Sequence, residues 1–173
     1  MIVFFWICSL LVPPSIHEST LVQIRSRFYA AVNNKDEASR LYNDLRGRSH
    51  QEAIVQAYYG ASQALMARYS WNPYRKVAFL KGGLQDLHRA IEKSPSNPEL
   101  RFLRFSIEYH LPSFLGMSSH MDEDRKTMVE LIGRSHFGTA DRTLVKNMIG
   151  FFKKTEAFSA AEINILTKSI ANE

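Results

Sequence analysis

A chain of 173 residues with 45% apolar and 23% charged side chains has the composition of a compact globular protein, which excludes disordered, collagen-like and disulfide-scaffold classes. At this length folding buries about two thirds of the unfolded chain's surface without help from a metal or a crosslink, and the lone Cys8 excludes an internal disulfide or a cysteine zinc cluster. The formal net charge of +5 is gathered between Arg68 and Arg104, where Arg68, Arg75, Lys76, Lys81, Arg89, Lys93, Arg101 and Arg104 face only Asp86, Glu92 and Glu99.

From Ile2 to Val12 every residue but Ser9 is apolar, and no charged side chain precedes Glu18. Such a run is too short to span a bilayer as a helix but suits the apolar region of a secretory signal peptide, which Pro13-Pro14-Ser15 would end at a processing region. A basic residue after Met1 and a small-x-small cleavage triplet are missing, and Ile7 before Cys8 argues against a lipoprotein. The expectation is a leader over 1–18, a helical domain over 19–173, export to the periplasm or cell envelope, and no stable membrane span in the mature form.

Beyond the leader, apolar residues recur at three and four without strand-like alternation, which predicts an all-α fold. The first helix is expected over Ser19 to Val32, with Leu21, Ile24, Phe28 and Ala31 on one face and Asn33-Asn34 closing it. The second, Lys35 to Arg46, presents Ala38, Leu41, Tyr42 and Leu45, and Gly47 ends it. A short connection makes these two an antiparallel pair. Ser49-His50-Gln51-Glu52 has the form of a capping box and predicts a third helix from there to about Ser70.

Asn72-Pro73 is a cap followed by a first-turn proline and starts a fourth helix to Lys93, with Leu80, Leu84, Leu87 and Ile91 as its stripe. Gly82-Gly83 in its middle costs about 1 kcal/mol per glycine relative to alanine, which calls for a close helix contact or a kink. Asn97-Pro98 repeats the start for a richly apolar fifth helix to Tyr109, expected to be central. After a loop from His110 to His120, a sixth helix opens on Asp122-Glu123-Asp124, acids that suit a helix N-terminus. Thr139 is expected to cap a seventh helix, and Ser159-Ala160-Ala161-Glu162 is a second capping box that starts an eighth.

Eight helices in short-linked pairs predict an antiparallel helix-hairpin array. Within it Gly83, Leu87, Ala90, Ile91 and Pro95, followed by Asn97-Pro98, resemble the second helix and closing turn of a tetratricopeptide repeat, which sets a small, a bulky apolar, an alanine and a proline residue at such intervals. Tyr58-Tyr59-Gly60-Ala61 with Leu65 is similar to that repeat's first helix. The resemblance covers about forty residues, Tyr58 to Pro98, and the inter-helix turn is longer than the repeat's consensus. It implies a tetratricopeptide-like α-solenoid with a concave surface for a protein or peptide partner, not an enzyme, and no cofactor.

Common catalytic signatures are absent: there is no Gly-rich phosphate loop, no G-x-S-x-G elbow and no H-E-x-x-H pair. The six histidines never stand three or four apart, as two helical ligands of one metal would, and Met121-Asp122-Glu123-Asp124 lacks the pattern of an EF-hand. Histidine or metal chemistry in the loop 110–124 is the alternative to a binding module. Weak attraction for anionic polymers is another, although no Lys/Arg tract exceeds two residues and nucleic acid is not expected. Arg101, Arg104 and Glu108 share one face of the fifth helix, an odd place for two arginines in a buried element, and are expected to display guanidinium groups to a partner's carboxylate. Tyr58 and Tyr59 are expected to line the same groove, among the aromatics Tyr69, Trp71 and Tyr74 around the third helix and its turn.

Overall fold

A computed structural model of the chain describes residues 18–49 and 52–171. Among these the fold is all-helical, with eight α-helices and no strand. They are α1 (Glu18–Ala31), α2 (Lys35–Arg46), α3 (Ala53–Tyr69), α4 (Pro73–Lys93), α5 (Pro98–Tyr109), α6 (Met121–Gly133), α7 (Arg142–Phe152) and α8 (Ala160–Ser169), with one 3-10 turn at Ser113–Leu115. The expected leader, up to His17, lies outside the described residues.

Local chemistry fixes most of these limits. The side chains of Asn34, Asn72 and Asn97 accept the first free backbone N–H groups of α2, α4 and α5, and Pro73 and Pro98 occupy first-turn positions where no N–H is needed. At α8 the capping box is complete: the Ser159 side chain takes the Glu162 N–H and the Glu162 carboxylate takes the Ser159 N–H.

Two expected starts are corrected. α3 begins at Ala53 with Glu52 as a cap that makes no side-chain hydrogen bond, while the Ser49 hydroxyl donates backward to the Arg46 carbonyl at the end of α2. His50 and Gln51, the middle of the expected box, lie outside the described residues. α7 is capped by Asp141, which accepts from the Leu144 N–H at 2.7 Å, because the Thr139 hydroxyl is spent on Glu99 instead.

Each of α1 to α5 packs on the next in sequence, and α1 also meets α3 as α3 meets α5. The pattern then changes, for α6 lies against α8, and α7 also meets α8. The interior is divided in two. Leu21, Ile24, Leu41, Leu45, Tyr58 and Leu87 belong to one apolar cluster; Met128, Ile132, Val145, Met148, Phe152 and Leu166 to the other. α5 serves both, since Leu100 and Leu103 enter the first cluster and Phe105 the second, where its ring meets Phe152 and Phe158 edge-on.

α3 and α4 approach through glycine. A Cβ on Gly83 would stand 2.4 Å from the Gly60 carbonyl oxygen and 2.7 Å from the Ala64 nitrogen, closer than carbon is tolerated. The mid-helix glycine is thus offset by a backbone contact that lets Ala57, Ala61 and Leu87 close without a gap. Gly83→Ala is expected to destabilise the protein by about 1–3 kcal/mol despite alanine's better helix propensity. Gly150→Ala, in α7 with nothing within 4 Å of its added Cβ, is expected to gain about 0.5–1 kcal/mol. Urea denaturation of the two variants measures the contrast, and equal midpoints would contradict the close approach.

Candidate functional site

The residues singled out on α5 are internal. Arg101 and Arg104 are 7% and 1% exposed, and the carboxylate they hold is the chain's own Asp124, itself fully buried in the first turn of α6. Arg104 grips it with two parallel bonds, Nε to Oδ2 and Nη2 to Oδ1, both 2.7 Å. Arg101 donates from Nη1 to Asp124 Oδ1 and Glu123 Oε1, each at 2.9 Å, and from Nε to the Pro95 carbonyl. The expected display of guanidinium groups to a partner is therefore corrected: their forks are filled from within. Two arginines flanked by Phe102, Leu103 and Phe105 stay charged in the interior because α6 brings acids to them.

Glu108, the third member of that face, is also buried. Its Oε2 accepts the His120 backbone N–H at 3.0 Å and its Oε1 lies 2.8 Å from His120 Nδ1, so both oxygens fasten the residue that precedes α6. The His120 ring sits 5.6 Å from that of His88 on α4. Arg104 Nη1 points at His88 Nδ1 at 3.2 Å, and since a guanidinium only donates, that nitrogen carries the lone pair. In this carboxylate–imidazole pair Glu108 acts as a clamp on the start of α6, while His110, at the other end of the loop, bonds the Ser106 carbonyl through Nδ1. No three His, Cys, Asp or Glu side chains among the described residues are grouped so as to hold a metal ion.

Tyr58 is buried and its hydroxyl donates to Glu99 Oε1 at 2.7 Å. Glu99, 1% exposed, also accepts two bonds from Arg25 of α1 and one, at 2.6 Å, from the Thr139 hydroxyl. Burial and the adjacent Glu99 charge push the Tyr58 phenol well above its usual range. Tyr59 is half-buried and stacks on Tyr42 with ring centres 5.4 Å apart; burial and Tyr42 push its hydroxyl to about 12. The five residues named for the site are thus scattered over three internal contacts and share no open groove.

An open surface lies where the α1–α2 and α3–α4 turns meet. The Tyr69 hydroxyl donates to the Ala31 and Val32 carbonyls at 2.9 and 2.8 Å and ties these turns together. Beside it is a concave pocket of about 320 Å³ lined by Lys35, Arg68, Tyr69, Ser70, Trp71 and Lys76, three cations and no carboxylate. Trp71 is 96% exposed, Tyr74 on the first turn of α4 86%, and Tyr29 on the last turn of α1 84%. The sequence placed Trp71 and Tyr74 around the third helix and its turn but named Tyr58 and Tyr59 for the groove; of these four aromatics it is Trp71 and Tyr74 that are exposed.

Arg101→Ala combined with Arg104→Ala leaves Asp124 buried and unpaired, so the pair is expected to lose about 3–5 kcal/mol of stability. Denaturant melts measure this, and an unchanged midpoint would return the two arginines to the surface. A second expectation concerns acid. The hydrogen bond from Arg101 holds the Glu123 carboxyl below its usual value, so its contribution is present at neutral pH and is lost as pH falls through the lowered value. Glu123→Gln is expected to flatten the acid side of the stability–pH curve, as read from melts at stepped pH, while an unaltered curve would show that this bond adds nothing.

Compared with protein-family models, with curated proteins and with solved structures, the chain matches none.

Proposed function

We propose that the protein is a non-enzymatic adaptor of helical-repeat type, exported to the periplasm or cell envelope, which binds a protein or peptide partner. Its docking end is the meeting of the α1–α2 and α3–α4 turns, not α5. The observation that carries this reading is the coincidence at that end of Tyr29, Trp71 and Tyr74, exposed almost completely, with Lys35, Arg68, Arg75 and Lys76, which make no ion pair among the described residues. Tyr and Trp combine a large apolar face with a polar tip and are enriched where proteins meet; left in water they forgo burial worth about 25 cal/mol per Å².

The finer fold reading, a tetratricopeptide-like array, rests on the succession α1, α3, α5 packed side by side and on the small residues at the α3–α4 crossing. The export reading rests on the apolar leader alone. No helix among the described residues is long and apolar enough to cross a membrane.

A photo-crosslinking residue placed at Trp71 in the native host is expected to trap a discrete partner. The same residue at Phe114, also largely exposed at 84% but on the loop before α6, is expected to trap none. Discrete adducts from Phe114 and none from Trp71 would move the docking surface to the other half of the molecule.

A further inference from the structure

We infer that the pocket between Lys35, Arg68, Lys76 and Trp71 takes an acidic peptide segment, a carboxylate seated against the cations and an apolar neighbour laid on the indole. This names the partner chemistry of the docking end proposed above and rests on that reading.

Three observations point to it. The first is charge. The pocket lining is wholly cationic where it is charged, and the nearest acids in sequence are elsewhere: Glu37 is held by Arg27 and Arg40, and Asp36 does not line the pocket. Farther along the basic window Arg89 pairs with Asp86, Lys93 with the Gln56 amide, and Arg101 and Arg104 with Asp124, while Lys81 stands alone on α4 without an ion pair among the described residues. An anion is therefore attracted to the Arg68–Lys76 end of the window.

The second is the way α4 starts. Its first turn has no acidic residue and is followed at once by Lys76, with Arg75 beside it, so positive charge stands at the positive end of the helix dipole. A helix N-terminus ordinarily carries acids, as α2, α5, α6 and α8 do here, whereas α3 and α7 share with α4 a first turn without them. Asn72 already accepts the Tyr74 and Arg75 N–H groups, so the misplaced cations serve no cap. A carboxylate bound beside Arg75 and Lys76 would offset that repulsion.

The third is shape and hydrogen bonding. The pocket is a hollow of side-chain size, and the cations form a compact group around it instead of the long stripe that tracks a nucleic acid backbone or the flat face that lies on a bilayer. A second hollow of about 280 Å³ follows along α4, lined by Gln63, Arg75, Ala78 and Phe79. The Gln63 amide oxygen is buried with no hydrogen-bond partner among the described residues. Its last torsion is soft, and a peptide laid across both hollows brings backbone N–H donors that phosphate lacks.

The test uses the full chain with Trp6→Phe, which leaves Trp71 as the one tryptophan, and follows its fluorescence. The probe is a short capped peptide of glutamates around a leucine and a phenylalanine. The peptide is expected to shift Trp71 emission saturably, more weakly as salt rises, and Arg68→Glu with Lys76→Glu is expected to weaken it at least about tenfold, the scale of two lost charge-assisted bonds. Lys126→Glu, exposed on α6, is expected to leave it unchanged. Equal binding of the same peptide with glutamine for glutamate would overturn the assignment. So would inorganic phosphate, phosphatidylserine vesicles or a single-stranded oligonucleotide binding at Trp71 as tightly as the peptide. If crosslinks from position 71 persist while the acidic peptide leaves the emission unchanged, the docking end stands and the acidic occupant is withdrawn.

Discussion

The fold depends on how α5 carries charge through the middle of the molecule. Glu99, Arg101, Arg104 and Glu108 are all buried, and none of them finds its main partner on α5 itself. Burying an unpaired ion costs several kcal/mol even after relaxation, so each of the four demands a counter-group brought from elsewhere in the chain. Arg25 of α1 and Tyr58 of α3 meet Glu99; Glu123 and Asp124 of α6 meet the arginines; His120 meets Glu108. Apolar packing would permit many slightly different dockings of α6 on α5. The two parallel bonds of Arg104 to Asp124 admit one register, and in this fold specificity is the use to which a buried ion pair is best suited.

That use also bears on the docking end proposed for the molecule. With the charges of α5 turned inward, and Arg27, Arg89 and Arg125 occupied by Glu37, Asp86 and Glu162, much of the surface is electrostatically balanced. The turn at Trp71 instead gathers Lys35, Arg68, Arg75 and Lys76, which make no ion pair among the described residues, above a well-tied set of helices. Tyr69 bonds two carbonyls at the end of α1, while α3 and α4 are held at backbone distance by Gly60 and Gly83. A ligand at the proposed docking end would meet side chains mounted on helices already tied to one another.

What was legible in the sequence followed from how local the physics is. Asn34, Asn72 and Asn97 act on atoms two or three residues away, and the ends of α2, α4 and α5 could be read directly from them. Gly83 was legible as a demand for contact, though not the identity of Gly60 opposite. The charged face of α5 was visible, and the oddity of two arginines between aromatic neighbours was real, but its answer lay at Asp124, 20 residues beyond Arg104 and across a loop with no periodicity. Spacing within a helix pairs i with i+4 and is silent about such partners. Thr139 and Ser49 failed for a related reason: each has the side chain of a helix cap, and each is claimed by a tertiary or backward bond that a linear pattern cannot rank.

Sharing α5 between two apolar clusters has a consequence for how the molecule comes apart. In a repeat array each unit touches only its neighbours, and the ends can fray while the middle holds. Here the loop after α6 reaches back to the first half, where the Thr139 carbonyl takes a bond from Arg25 at 2.6 Å and its hydroxyl donates to Glu99. Peeling away α6 to α8 would strip Asp124 from the arginines, bare Phe105, and loosen Arg25 of α1 in the same act. The two halves are therefore expected to melt as one cooperative unit, since α6 to α8 cannot leave without stripping partners from α1 and α5.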